Sequence, residues 1–182
     1  QPFAYVPELD LLLQVFPHDI RLPAIARLLP GPDAEVADRI VSDLGPGEWQ
    51  VKSWRAEAIQ YRPDQRASLR LAVQAADAAS GRRIECQYYA KVYREGHHAR
   101  QAFQSQVEVH QCIERAGAEV AVAKPVALIE DVNTTITGAL PGIPLADLIR
   151  QGVELETAVP SVARAVAAFH GLEASAPRRP IE

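Results

Sequence analysis

The strongest constraint on the fold lies between residues 48 and 94. Three runs, at about 48–61, 67–75 and 84–94, either alternate apolar with polar residues or are rich in β-branched and aromatic ones. A period of two suits a strand with one dry face and one wet face. "YRPDQR" separates the first two runs and "AADAASGRR" the second and third, and both are made of turn formers. Runs of this length with connections this short predict a three-stranded antiparallel meander.

The flanking segments read differently. "PELDLLLQVF" places Leu9, Leu12, Leu13 and Phe16 at helical spacing. "PHDIRLPAIARLLPG" and "PDAEVADRIVSDLG" follow, each opened by Pro or Asp and closed by Gly31 or Gly45, so residues 1–46 are expected to be a helical extension. After the meander, "GHHARQAFQSQVEVHQCIERAGA" predicts a helix at about 97–116 that stops at Gly117, with Ala102, Gln106, Val109, Ile113 and Ala116 on one stripe. "VAKPVALIEDV", with Pro125, Ala127 and Ile129 alternating, and "TTITGAL" read as two further strands. "LPGIPLADLI" turns into a helix, and "TAVPSVARAVAAFHGLEAS" is the last helix before the polar tail "APRRPIE". The expected class is α+β, with five antiparallel strands and one helix inserted after the third. Residues 47–141 form the strand-rich domain and 142–182 a linker with the first helices of an incomplete further lobe.

Composition excludes several classes. With a net charge of −4 and a pI of about 5.8, the chain has neither the basic surface of a nucleic-acid binder nor a polybasic membrane patch. No apolar run is long enough for a membrane span. "QPFAYVPELD" is not a signal peptide, and a cytoplasmic location is expected. Cys86 and Cys112 are the only cysteines among 182 residues, which fits two inert thiols better than a disulfide framework. His97, His98 and His110 do not form a metal spacing with Cys112. Trp49 and Trp54 are expected to pack the first strand. The sequence holds no methionine, so residue 1 is read as a processing or cloning boundary.

One residue of the third strand stands out. In "ECQYYAKVYREG" Lys91 sits between tyrosines and valine. A strand lysine is ordinarily a solvent-facing one. A lysine that serves a site needs a carboxylate to hold its ammonium, a backbone edge for a base, and a source of reacting groups. Glu108, 17 residues on and within the following helix, is the candidate carboxylate. Glu114 lies on another helix face and Glu95 is too near the strand. A partly buried Lys–Glu pair is costly without good geometry, and its usual purpose is to fix the ammonium where phosphate oxygens will sit. "TITGALPG" is a strand that runs into a small-residue linker, whose backbone can meet an adenine edge.

The strand lysine, the helix glutamate, the two strands and the linker together resemble the N-terminal lobe of the protein-kinase-like fold, and most of all the aminoglycoside phosphotransferase family. The resembling pieces are "IQYRPDQRASLRLAV", "YYAKVYRE", "ITGALPGIPLADLI" and "ARAVAAFHGL", over roughly residues 48–175. The resemblance implies that Lys91 contacts the α- and β-phosphates of ATP or GTP and that Glu108 pairs with Lys91. It implies that the Thr137 carbonyl and the Ala139 amide bind the adenine edge, with Ile136 lining that pocket. The function it implies is transfer of the γ-phosphoryl to a hydroxyl of an aminoglycoside- or sugar-like substrate, with magnesium.

The sequence departs from the family in two places. The phosphate-covering loop "RPDQR", residues 62–66, has no glycine, so its amides cannot approach phosphate as a G-x-G-x-x-G loop does. Arg62 or Arg66 is the available source of charge. Nor does any segment match H-x-D-x-x-x-x-N, where the family keeps its acceptor-orienting Asp and magnesium-binding Asn. In "FHGLEAS" Leu172 stands where that Asp would be, and His170 is read as a helix end. The chain is therefore expected to hold no catalytic residue and no metal ligand, to be inactive alone, and to depend on its own missing C-terminal lobe. A non-catalytic kinase-like binding or regulatory module is the alternative, and an unrelated α+β domain with a surface Lys91 is a third.

Overall fold

The computed structural model describes residues 3–118, 120–152 and 155–171. They fall into two compact units, one from the N-terminus to Phe103 plus Pro125–Ala139, the other Gln104–Lys124 plus the chain from Leu140. Among the described residues no helix is long and apolar enough to cross a membrane.

The first unit is built on a five-stranded antiparallel sheet. In chain order its strands are β3 (Trp49–Arg62), β4 (Arg66–Asp77), β5 (Arg83–Tyr93), β6 (Pro125–Ile129) and β7 (Thr134–Gly138), and in space they run β3-β4-β5-β7-β6. The expected meander is present, with each strand within about two residues of its expected bounds, as are the two later strands. The class is α+β. Helix α3 (Gly96–Ala116) leaves the sheet after β5 and passes into the second unit.

Alternation on the two central strands sets the core. Leu69, Leu71 and Val73 of β4 and Tyr88, Ala90 and Val92 of β5 are buried and point to one face. Ala127 and Ile129 of β6 and Ile136 of β7 extend that face. Helices α1 (Ala24–Leu28) and α2 (Ala34–Asp43) close it with Ile25, Leu28, Val36 and Ile40, joined by Leu22 just before α1. The Trp54 indole donates to the Leu28 carbonyl at 2.8 Å. Both tryptophans lie on β3; Trp49 is buried and Trp54 packs against the core.

The helical expectation for residues 1–46 needs correction at its start. Residues 3–14 form a β-hairpin, β1 (Phe3–Val6) against β2 (Leu11–Gln14), with Phe3 opposite Gln14 and Val6 opposite Leu11. A single 3₁₀ turn at Pro7–Leu9 ends on Asp10 at φ 47°. The Asp10 amide donates to the Pro7 carbonyl, and the Tyr5 hydroxyl to the Asp10 carboxylate at 2.6 Å. The helical spacing of Leu9, Leu12, Leu13 and Phe16 builds no buried face, since all four are exposed, Leu9 by 71%, although Phe16 meets the Tyr61 ring at 5.3 Å between centroids. With no face to bury, the period lost to local turn chemistry and strand pairing.

Arg27 ties the helices to the sheet's last hairpin. Its guanidinium donates to Asp33 and Asp131, and to Glu35 at 3.2 Å. Asp33 also caps α2 by accepting from the Val36 amide at 3.0 Å. The Arg27 bond, foremost, holds the Asp33 carboxyl below the ordinary carboxylate range.

In the second unit, α3 continues to Ala116, α4 spans Leu145–Arg150 and α5 spans Leu155–His170. His170 is the last residue of α5, as expected. Gly171, read as helical, is a turn, and the rest of that expected helix and the tail lie outside the described residues.

Two outcomes follow. Ile25→Ala should lower the unfolding free energy by about 2–4 kcal/mol in urea titration, the usual cost of a core cavity. A cost below about 1 kcal/mol would mean that α1 is not part of this core. The Asp33–Arg27 bond stabilises the fold above the unfolded carboxyl pKa of about 4 and is lost as pH falls through the depressed folded value. Arg27→Ala should therefore flatten the acid limb of the stability–pH profile below the unfolded carboxyl pKa of about 4 and cost about 1 kcal/mol at neutral pH. An unchanged acid limb would refute this.

Candidate functional site

Because Tyr88, Ala90 and Val92 face the core, Lys91 must face the other way, and it is solvent-exposed. Its strand partners are Ser68 on β4 and Thr135 on β7. Two residues toward the β3–β4 turn, Arg66 is paired with Tyr93. Lys91, Arg66, Ser68, Gln60 and Tyr93 line a groove of about 160 Å³. That is below the roughly 300 Å³ at which sites for drug-sized ligands begin, and it suits a phosphate group rather than a whole nucleotide.

The groove is cationic. Lys91 and Arg66 both line it, no carboxylate does, and the described residues of this unit show no ion pair to either. Burial pushes the Tyr93 phenol pKa up, against the opposing hydrogen bond with Thr135, so the phenol keeps its proton and stays neutral. Cations, a hydroxyl and an amide around a small concavity form an oxyanion-binding set.

The other expected site residues are placed as follows. Ile136 has no exposed surface and belongs to the core, opposite Ala90. Strand alternation turns it away from the face that carries Thr135, Thr137 and Lys91, so it cannot line a base pocket there, and that expectation is corrected. The Ala139 amide donates to the Gln87 carbonyl at 3.0 Å. It is committed to the sheet and is not a free donor for a base, a second correction. The Tyr93 amide donates to the Asn133 carbonyl at 2.9 Å. In an antiparallel ladder such pairs recur every second residue, which makes Tyr89 and Thr137 a hydrogen-bonded pair too. The Thr137 carbonyl keeps one lone pair. Glu108 lies in the second unit, exposed on α3.

Neither cysteine is in a disulfide, and burial raises the Cys86 thiol pKa, which makes it unreactive. Glu95, His97 and His98 bring one ligand atom each within 4.8 Å of one another, all exposed. They sit at the start of α3, where the helix dipole opposes a cation. Sequence reasoning had reached Arg66 only as a loop charge. It missed Asp19, whose carboxylate reaches the β3–β4 turn from outside the sheet; the only local signal was an Asx-type turn in "HDIRL".

Comparison of the chain with protein-family models, with curated proteins and with solved structures found no match. The functional reading therefore stands on the groove and on the residues of the resemblance.

Lys91 contributes charge rather than packing. Lys91→Ala should leave the unfolding free energy within about 0.5 kcal/mol of the parent, measured by thermal and urea unfolding. A larger loss would make Lys91 a structural residue.

Proposed function

We propose that this chain is the nucleotide-binding part of a small-molecule kinase, which passes the γ-phosphoryl of ATP or GTP to a hydroxyl of an aminoglycoside- or sugar-like acceptor. The observation that carries this reading is the pair of cations, Lys91 and Arg66, in one acid-free groove at the foot of the β3–β4 turn. The element order supports it: a meander, a helix, two strands and a linker, with the lysine on the third strand of the sheet. This is the order on which the resemblance to the aminoglycoside phosphotransferase family rests.

Phosphoryl transfer asks a protein chiefly for positioning and charge neutralisation. In this proposal Lys91 and Arg66 neutralise phosphate oxygens, while Ser68 and Gln60 donate from the groove wall. The Thr137 carbonyl is the remaining backbone acceptor for a base edge. Glu108 enters only through the resemblance. The groove has no carboxylate, so its residues do not fit a magnesium ion. The proposal assigns the metal ligands, and the acid that orients the acceptor hydroxyl, to a second lobe.

The test is a titration of the chain with a fluorescent ATP derivative, read as affinity. Saturable, salt-sensitive binding is expected, and Lys91→Ala and Arg66→Ala should each weaken it by about tenfold, the worth of one charge-assisted contact. In a protein that includes the second lobe, Lys91→Ala should abolish phosphoryl transfer. Binding that is absent, or indifferent to both substitutions, would refute the reading. Binding with no transfer from a protein carrying the second lobe would favour a non-catalytic module on the same scaffold.

A further inference from the structure

Asp19 lies in the segment between β2 and α1 and is only 4% exposed. A carboxylate so far from water is costly unless donors meet its lone pairs. Four do. Oδ1 accepts from the Arg21 amide at 2.8 Å and the Leu22 amide at 3.1 Å. Oδ2 accepts from the Tyr61 hydroxyl at 3.0 Å and the Asp64 amide at 3.0 Å. The first two bonds are local and make a turn that leads into α1. The other two span 42 and 45 residues and grip the β3–β4 turn.

We propose that Asp19 is a positioning residue for the phosphate groove: it holds the glycine-free β3–β4 turn, and through it Arg66, in the geometry that receives a nucleoside triphosphate. The inference rests on the nucleotide reading above.

The turn explains why such a clamp is needed. It closes with the Gln65 amide on the Arg62 carbonyl at 3.1 Å and places Asp64 at φ 58°. Aspartate visits that left-handed conformation more readily than most residues with a Cβ, and the Asp19 carboxylate adds a bond to its amide from outside the turn. The bond also uses up the Asp64 amide, the kind of group a glycine-rich loop would offer to phosphate. This turn thus acts as a frame, and ligand-facing charge comes from side chains. Arg62 and Arg66 are partners across its base, and Arg66 shares the groove with Lys91. Burial, then Asp19, raises the Tyr61 phenol pKa, so that hydroxyl remains a donor to the clamp across the physiological range.

The test compares the unmodified chain with Asp19→Asn, Tyr61→Phe and Lys91→Ala. Asn keeps the acceptor that serves Arg21 and Leu22 but puts an NH₂ where Tyr61 and Asp64 donate. ATP and adenosine are titrated against each protein, and hydrogen exchange is followed at the Asp64 amide. Asp19→Asn should weaken ATP at least about fivefold, Tyr61→Phe about twofold, and both should leave adenosine unchanged. Exchange at Asp64 should rise in Asp19→Asn. ATP affinity equal to the parent's in a folded Asp19→Asn would overturn the inference. So would equal weakening of ATP and adenosine, which would mark a general structural role. If Asp19→Asn does not fold, Tyr61→Phe decides, and unchanged ATP affinity overturns the inference. A parent chain that binds no ATP, or a Lys91→Ala chain that binds as well as the parent, brings down the nucleotide reading itself and the inference with it.

Discussion

The burial of one face of β4 and β5 is the constraint on which the rest depends. Leu69, Leu71, Val73, Tyr88, Ala90 and Val92 cannot reach solvent without opening the core that α1 and α2 close. A strand has only two faces, so the direction of Lys91 is decided by its neighbours rather than by its own chemistry. A slip of one residue in the β4–β5 register would exchange the faces and bury an ammonium. The pairings Ser68–Lys91 and Arg66–Tyr93 follow from the same register. The groove is therefore a by-product of the core, and its two cations hold their places because apolar side chains one residue away are buried.

This also explains which parts were legible in the sequence. β4 and β5 could be read because alternation records burial: β4 buries one face along its whole length, and β5 does so from Tyr88 to Val92. The hairpin at residues 3–14 could not, because Leu9, Leu12, Leu13 and Phe16 bury little, and a period without burial carries no information about packing. Lys91 was legible as a charge in an apolar run. Ile136 and Ala139 were misplaced for a related reason. Sheet pairing extends past Gly138 to the bond between the Ala139 amide and Gln87, and "TITGAL" gives no sign of where a strand ends and a linker begins. Asp19 lay beyond local reading, since its decisive partners are 42 and 45 residues away.

Two buried aspartates frame the ends of β4 in different ways. At one end Asp77 accepts from the Glu48 amide at 2.8 Å and from Ala79, Ser80 and the Ser80 hydroxyl. Those bonds, the Ser80 hydroxyl first, lower its pKa. Its own turn supplies most of the donors, so that end is self-sufficient. At the other end Asp19 comes from the segment before α1, and the turn there takes a further bond from outside the sheet. The N-terminal segment thus contributes more than a lid on the core: it also bonds to the turn at the end where Lys91 and Arg66 line one groove.

In the proposed phosphate site, the role of a glycine-rich loop would be filled by a clamped turn, by opposite means. The first follows its ligand, bending until backbone amides reach the oxygens, and gains directional bonds at the expense of ordering on binding. The second is ordered beforehand and offers guanidinium and ammonium groups, which attract anions strongly but accept a wider range of approach. For such a site rigidity has to come from elsewhere, because long side chains on a mobile turn would lose on ordering what they gain in charge. In the proposed site that rigidity would come from Asp19, with four donors on one buried carboxylate. The missing glycines in "RPDQR" and the buried acid in "HDIRL", unrelated as sequence features, then become two halves of one physical arrangement.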